Sequence, residues 1–209
     1  MTHVRWCCRT GVAKGPTMPE DSPSDRDLLD RWRDGDTVAG LLLFERYFDS
    51  LYRFFETKCP DEADELVQAT FFACLRGRDA LRHDASFRIY LFVIARNQLH
   101  DGLRKRCRDC VVDFELSSIE DLRAIPAMRL ARHREHLHLI AALRRLPLEQ
   151  QTLLELHYVQ EMEIAELAEV FDASAGTIRG RLHRARKQLR ELLEGDAAVA
   201  RTEDESGDA

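Results

Sequence analysis

Apolar residues recur at intervals of three and four along nearly the whole of this chain, with little β-branched alternation, and that spacing commits it to α-helix. Stop signals then divide the pattern. Asp25 to Arg33 predicts a short helix ending near Gly35. Asp36 is placed to cap the next, which carries LLLFERYF and LYRFF up to Cys59, where Pro60 stops it. A third runs from Asp61 to Arg76 with Gly77 at its C′ position, and Ser86 caps a fourth from Phe87 to Arg106. Between Asp109 and His133 the period is lost, and the acids of DFE and SSIED together with Pro126 predict a linker with a short helical turn. Helices resume at Glu135 to Leu146, Leu148 to Tyr158, Met162 to Phe171 and Ser174 to Leu193. The expected fold class is all-α, two small helical domains joined by a flexible linker. Residues 25–108 form the first domain, 109–133 the linker and 134–194 the second. Residues 1–24 are expected to be a disordered leader, with Met18 as an alternative start, and 195–209 a disordered acidic tail.

Composition narrows the class. Charged residues make up 33% of the 209 and apolar residues 44%, and no run approaches the roughly 18 apolar residues of a membrane span. The opening MTHVRWCCRTGVAKGPTMPE lacks the apolar stretch of a signal peptide, so a cytoplasmic chain is expected, with no membrane partner. Its cysteines, Cys7, Cys8, Cys59, Cys74, Cys107 and Cys110, are then expected as thiols. Cys107-Arg-Asp-Cys110 is a single CxxC without the second pair that a zinc ribbon needs, and no metal or cofactor is expected. Nor is an enzyme or a small-molecule substrate: the chain has no glycine-rich phosphate loop, nucleophile elbow or HExxH.

The C-terminal unit sorts its charges. Ile164, Leu167, Ala168 and Phe171 form an inward stripe, Asp172-Ala-Ser makes a short turn, and Ile178, Leu182, Ala185, Leu189 and Leu192 give the next helix one buried face. What is left exposed is one-signed: Arg179, Arg181, Arg184, Arg186, Lys187 and Arg190, with no acid between Ser174 and Arg190. A solvated structural helix would interleave Glu with these bases. A short helix, a three-residue turn and a basic second helix make a helix-turn-helix, whose second helix enters the DNA major groove. Thr177 and Arg179 would face base edges, while Arg181, Arg184 and Lys187 would hold backbone phosphates.

Two features stand out in the first unit. On the third helix Phe72 falls between Glu65 and Gln68 on the face that should meet water, as an interface anchor or a chance exposed group. The fourth helix begins with Phe87 and Tyr90 and ends with Arg104, Lys105 and Arg106. Rings beside cations suit single-strand binding, and equally a core helix with a basic C-terminus.

In order and spacing these pieces resemble the extracytoplasmic-function (ECF) group of bacterial sigma factors, the promoter-recognition subunits of RNA polymerase. DELVQATFF (Asp64 to Phe72) is similar to that family's region 2.2, FRIYLFVIARNQLHDGLRKR (Phe87 to Arg106) to regions 2.3 and 2.4, and Leu143 to Leu193 to region 4. The resemblance implies a non-enzymatic subunit whose partners are core RNA polymerase (β′ coiled coil and β flap), promoter DNA and an anti-sigma factor. It implies that Asp64, Glu65, Gln68, Phe72 and Leu75 dock on the polymerase. Leu81, Arg82, His83, Ser86, Phe87, Tyr90 and Asn97 would capture a flipped base of the melted minus-ten element, with Arg96, Arg104, Lys105 and Arg106 on strand phosphates. Ser174, Thr177, Arg179, Gly180, Arg181, His183, Arg184 and Lys187 would read the minus-thirty-five duplex.

Departures bear on the details. Ala69, Leu75 and Leu81 stand where the family more often has Glu, Trp and Phe, and Tyr90 replaces a frequent Trp; the loss at Ala69 is expected to weaken docking, while Leu81 and Tyr90 alter the flipped-base pocket, so the minus-ten preference does not carry over. Gly180, where Ser is common, costs roughly 1 kcal/mol of helix propensity. Two rival readings remain at this stage: a stand-alone helix-turn-helix regulator, and a metal sensor built on Cys107, Cys110 and His100. Lys and Arg total 31 against 37 Asp and Glu, a net charge of −6 that taken alone disfavours nucleic acid. The acids, however, gather at Glu20 to Asp30, in the third helix, the linker and the tail.

Overall fold

Ser24 opens the first helix, α1 (Asp25–Arg33), through a reciprocal capping box: its hydroxyl accepts from the Asp27 N–H and its own N–H donates to the Asp27 carboxylate. Gly35, at φ +100°, turns the chain onto Asp36, whose carboxylate accepts from the Val38 and Ala39 N–H groups and starts α2 (Thr37–Glu56). Pro60 opens a 3₁₀ turn, Pro60–Glu62, that leads into α3 (Ala63–Gly77). After a second such turn, Arg78–Ala80, comes α4 (Phe87–Arg106). The second half contains α5 (Arg134–Arg144), α6 (Leu148–Tyr158), α7 (Ile164–Val170) and α8 (Ala175–Ser206). This is a computed structural model, and it describes residues 23–81, 86–106, 113–119 and 134–206. The all-α architecture matches the expectation, with eight α-helices and no strand among the described residues.

In the first domain an aromatic cluster joins the four helices. Trp32 of α1 meets Phe44 of α2 edge-on at 5.3 Å, Phe44 stacks on Phe71 of α3 at 4.4 Å, and Phe87 of α4 closes the group. Gly40 lets α1 approach: a Cβ there would stand 2.4 Å from the Trp32 ring. In the second domain the helix-turn-helix turn has Asp172 at φ +47°, a left-handed conformation that short polar side chains tolerate.

The helix joining the halves is α6. Every residue from Leu148 to Leu156 except Gln150 is buried, including Glu149, Gln151, Thr152 and Glu155. Glu149 and Glu155 turn toward the first domain, where they meet Arg96 and Lys58. Residues 113–119 complete the seam: Phe114 stacks on His100 at 4.1 Å, and the carbonyls of Ser117 and Phe114 accept from the Leu148 and Glu149 N–H groups that open α6.

Three sequence expectations change. Gly77 does not close α3 in a left-handed cap; its φ is −92° and the chain runs on into the 3₁₀ turn. Its lack of a side chain serves Tyr90 instead, whose hydroxyl lies 2.2 Å from where a Cβ would stand. The predicted disordered tail is helical to Ser206, because Ala-rich, Glu- and Arg-bearing sequence extends a helix readily and Asp196 pairs with Arg145, just past the end of α5, at 2.8 Å. The expected linker is docked over residues 113–119. Residues 1–22, Arg82, His83, Cys107, Cys110 and 120–133 lie outside the described residues.

Candidate polymerase and nucleic-acid interfaces

The N-terminus of α8 is built by Ser174, whose Oγ accepts from the Thr177 N–H at 3.1 Å and lies 2.9 Å from Thr177 Oγ1. Ile178, Leu182 and Ala185 are buried, and this orients Thr177, Arg179, His183, Arg184 and Lys187 outward together. Arg181 shares the exposed side but bonds Glu115 at 2.7 Å. Arg186, also exposed, donates to the Leu182 carbonyl and the Tyr158 hydroxyl. Gly180 leaves room for a larger residue, since the nearest neighbour of a Cβ there is 3.8 Å away.

On α3, Asp64, Glu65, Gln68, Phe72 and Leu75 are all exposed, and Phe72 at 55% is a bare aromatic ring. Beside it, α2 and α3 bound a cleft of about 380 Å³ lined by Leu41, Phe44, Phe48, Val67 and Phe71, with Glu45, Asp64 and Gln68 at its rim. Val38, Leu41 and Leu42 extend the apolar surface along α2. The sequence reading missed this part. Its signal is the run Leu41 to Phe44, which is too long for one buried helix face.

The residues expected at the minus-ten element divide. Phe87 is 1% exposed, packed among Trp32, Phe44 and Tyr47, so it is a core residue and cannot stack on a base. Ser86 sits at the start of α4, its hydroxyl 3.5 Å from the Ile89 nitrogen. Tyr90 is half-buried over Gly77, and Leu81 packs partly into the core while its carbonyl accepts from Arg33. Asn97, Arg104 and Lys105 are exposed, Arg104 lying over the Phe114 ring, and Arg106 pairs with Glu62.

Arg96 takes a different position. Its Nη2 is 2.8 Å and its Nε 3.2 Å from the Glu149 carboxylate, and its guanidinium lies over the Phe171 ring. His100 Nε2 stands 2.9 Å from the same carboxylate, and the His100 ring stacks on Phe114. Burial alone would raise the Glu149 pKa, but the His100 and Arg96 contacts outweigh it and hold the carboxyl below its ordinary 4.5. Glu149 therefore binds its proton more tightly in the unfolded chain, so its contribution is complete above 4.5 and fades as acid protonates the folded carboxyl. Acid titration followed by melting temperature should show a smaller loss below pH 4.5 for Glu149→Gln than for the wild type.

Among the described residues no three His, Cys, Asp or Glu side chains are grouped to hold a metal, and no helix is long and apolar enough to cross a membrane. Cys59 and Cys74 are buried free thiols, and burial pushes Cys74 up to about 12.

Comparison with known proteins finds both halves in order. Residues 43–108 match the family model for Sigma-70 region 2, and residues 136–189 that for Sigma-70, region 4. The ECF RNA polymerase sigma factor EcfG of Rhodopseudomonas palustris (strain TIE-1) is 33% identical over 66% of this chain and 75% of its own length. The ECF RNA polymerase sigma factor SigM of Mycobacterium tuberculosis (strain H37Rv) is 30% identical over 81% of this chain and 85% of its own. A solved structure of the sigma factor RpoE in complex with the anti-sigma factor NepR from Bartonella quintana shares 25% identity and a TM-score of 0.58, covering 76% of this chain and 97% of that one. With a region 2 bundle, a region 4 helix-turn-helix and relatives of this identity along most of its length, the chain belongs to the ECF family of RNA polymerase sigma factors.

Proposed function

We propose that this sigma factor, which directs transcription with RNA polymerase, divides the work between an apolar face of α3 and a cationic face of α8. The observation that carries the reading is the sorting on α8: Ile178, Leu182 and Ala185 are buried, Arg179, Arg184 and Lys187 point outward, and the sequence has no acid between Ser174 and Arg190, the first being Glu191, 3.8 Å from Lys187. Thr177 and Arg179 read base edges of the minus-thirty-five duplex, while Arg184, Lys187 and His183 hold its backbone. Phe72 and Leu75, ringed by Asp64, Glu65 and Gln68, dock on the β′ coiled coil. Tyr90, Asn97, Arg96, Arg104 and Lys105 meet the melted minus-ten strand, and the β flap receives the second domain. An anti-sigma factor would compete for the apolar α2–α3 cleft; the RpoE structure shows that such a sigma factor is held by one. The chain would act in the cytoplasm, where polymerase and promoters are.

The test is run-off transcription from genomic promoter fragments with core polymerase plus this chain. Promoter-dependent transcripts support the reading, and DNA binding without transcripts favours a stand-alone regulator. Phe72→Ala is expected to weaken core-polymerase binding by about 2 kcal/mol, as for an exposed aromatic anchor. Arg179→Ala should leave core binding intact and lower upstream-element discrimination by about 1–3 kcal/mol. Co-purification with core and competitive promoter binding separate the two, and normal co-purification of Phe72→Ala would remove the docking assignment.

A further inference from the structure

We infer that packing of the two domains masks a promoter-binding cation, with Glu149 of the second domain holding Arg96 of the first as a strand phosphate would. The inference rests on the assignment of Arg96 to the minus-ten strand made above. A guanidinium fork bonding two oxygens of a carboxylate uses the same donors that grip a phosphate, so it can serve only one of them at a time. Glu149 is 7% exposed and lies in the first turn of α6, where the helix dipole favours an anion, with His100 on its other side. Phe171 packs on the guanidinium at 5.0 Å, so α6 and the end of α7 must move off α4 before the Arg96 donors held by Glu149 are free for a DNA strand.

One further promoter-binding cation is held by a carboxylate, though outside the contact between the domains: Arg181, expected on the DNA backbone, bonds Glu115 of the joining segment at 2.7 Å. Between the domains Arg88, which has no expected DNA role, lies 3.7 Å from Glu166 of α7. Both pairs are more solvated and weaker than the Arg96 pair. Buried charge pairs fix geometry more than they add stability, so this seam is well defined yet openable by a partner that binds the separated domains better. Plain structural packing has no need of such groups: apolar side chains would hold the domains with less desolvation cost.

The test uses the full chain without polymerase and a fluorescently labelled single-stranded oligothymidine, read by anisotropy across a salt series. Glu149→Gln should bind severalfold more tightly than the wild type, with a log–log salt slope steeper by about 0.7, one extra phosphate contact on a single strand. Small-angle scattering should show expansion, and circular dichroism unchanged helix content. Glu149→Lys, which repels Arg96, should gain more. Glu169→Gln, an equal charge change at an exposed position, should gain little. Arg96→Ala added to Glu149→Gln should abolish the gain. A gain that survives Arg96→Ala, or that Glu169→Gln matches, overturns the inference. Absence of both expansion and gain overturns the masking while leaving the run-off assay to judge sigma activity. Expansion without gain overturns it at Arg96 as a DNA contact, and the minus-ten assignment of that residue falls with it.

Discussion

Phe87→Ala is expected to destabilise the first domain by about 3–5 kcal/mol, the range for deleting a buried aromatic ring. Phe87 is 1% exposed and lies 5.6 Å from the Tyr47 ring, 6.2 Å from Trp32 and 6.4 Å from Phe44. Its removal leaves a cavity at the meeting point of α1, α2 and α4, where three rings lose a neighbour at once. Urea unfolding followed by Trp32 fluorescence measures the loss. A base-stacking residue would behave differently, since its truncation would weaken promoter melting and leave the unfolding midpoint where it was. Tyr90→Ala provides the contrast: half-buried over Gly77, it should cost much less stability and act mainly on transcription. An unfolding midpoint for Phe87→Ala equal to that of the wild type would return the ring to the DNA side.

Phe87 and Tyr90 also show where sequence reading stops. Both lie on the same early turns of α4, and spacing alone cannot say which of two neighbouring rings turns inward. That is decided by Trp32, Phe44 and Tyr47, which come from helices far away in the chain. Local signals were legible. Asp36 and Ser174 cap their helices through short-range hydrogen bonds written within a few residues. The outward set of α8 follows from the period of Ile178, Leu182 and Ala185, and the exposure of Phe72 from its position between Glu65 and Gln68. Contacts between the domains were not legible. On α6, Glu149, Thr152 and Glu155 follow the spacing of an ordinary polar face, and only the arrival of Arg96 and Lys58 from the first domain makes it a buried one. The net charge of −6 is reinterpreted by the same contacts, because Glu115, Glu149 and Glu166 lie against arginines.

Glu155→Ala should have the largest effect on how the two domains hold together. Lys58 is fully buried, its ammonium donating to the Phe54 carbonyl at 2.9 Å, pairing with Glu155 and lying 3.9 Å from the Phe54 ring centroid. Burial pushes the Lys58 pKa down, so its charge is costly to keep there and Glu155 is what offsets the cost. Gln151 donates to the other Glu155 oxygen at 2.9 Å, and Thr57 donates to the paired one at 3.3 Å. Removing one partner of such a pair is destabilising by about 3–5 kcal/mol, because the remaining charge stays buried and uncompensated. Here the chain has a cheaper escape than unfolding: α6 can leave the first domain and let water reach Lys58. The expected calorimetric result for Glu155→Ala is therefore two separated transitions, one for each domain, where the wild type shows one. Lys58→Met combined with Glu155→Leu replaces the pair with apolar volume, an exchange that is often neutral or stabilising by about 1–4 kcal/mol, and should restore the single transition. If Glu155→Ala alone melts as the wild type does, the buried pair is not what couples the domains. If the double variant also splits, the coupling needs the charges themselves and not merely their compensation.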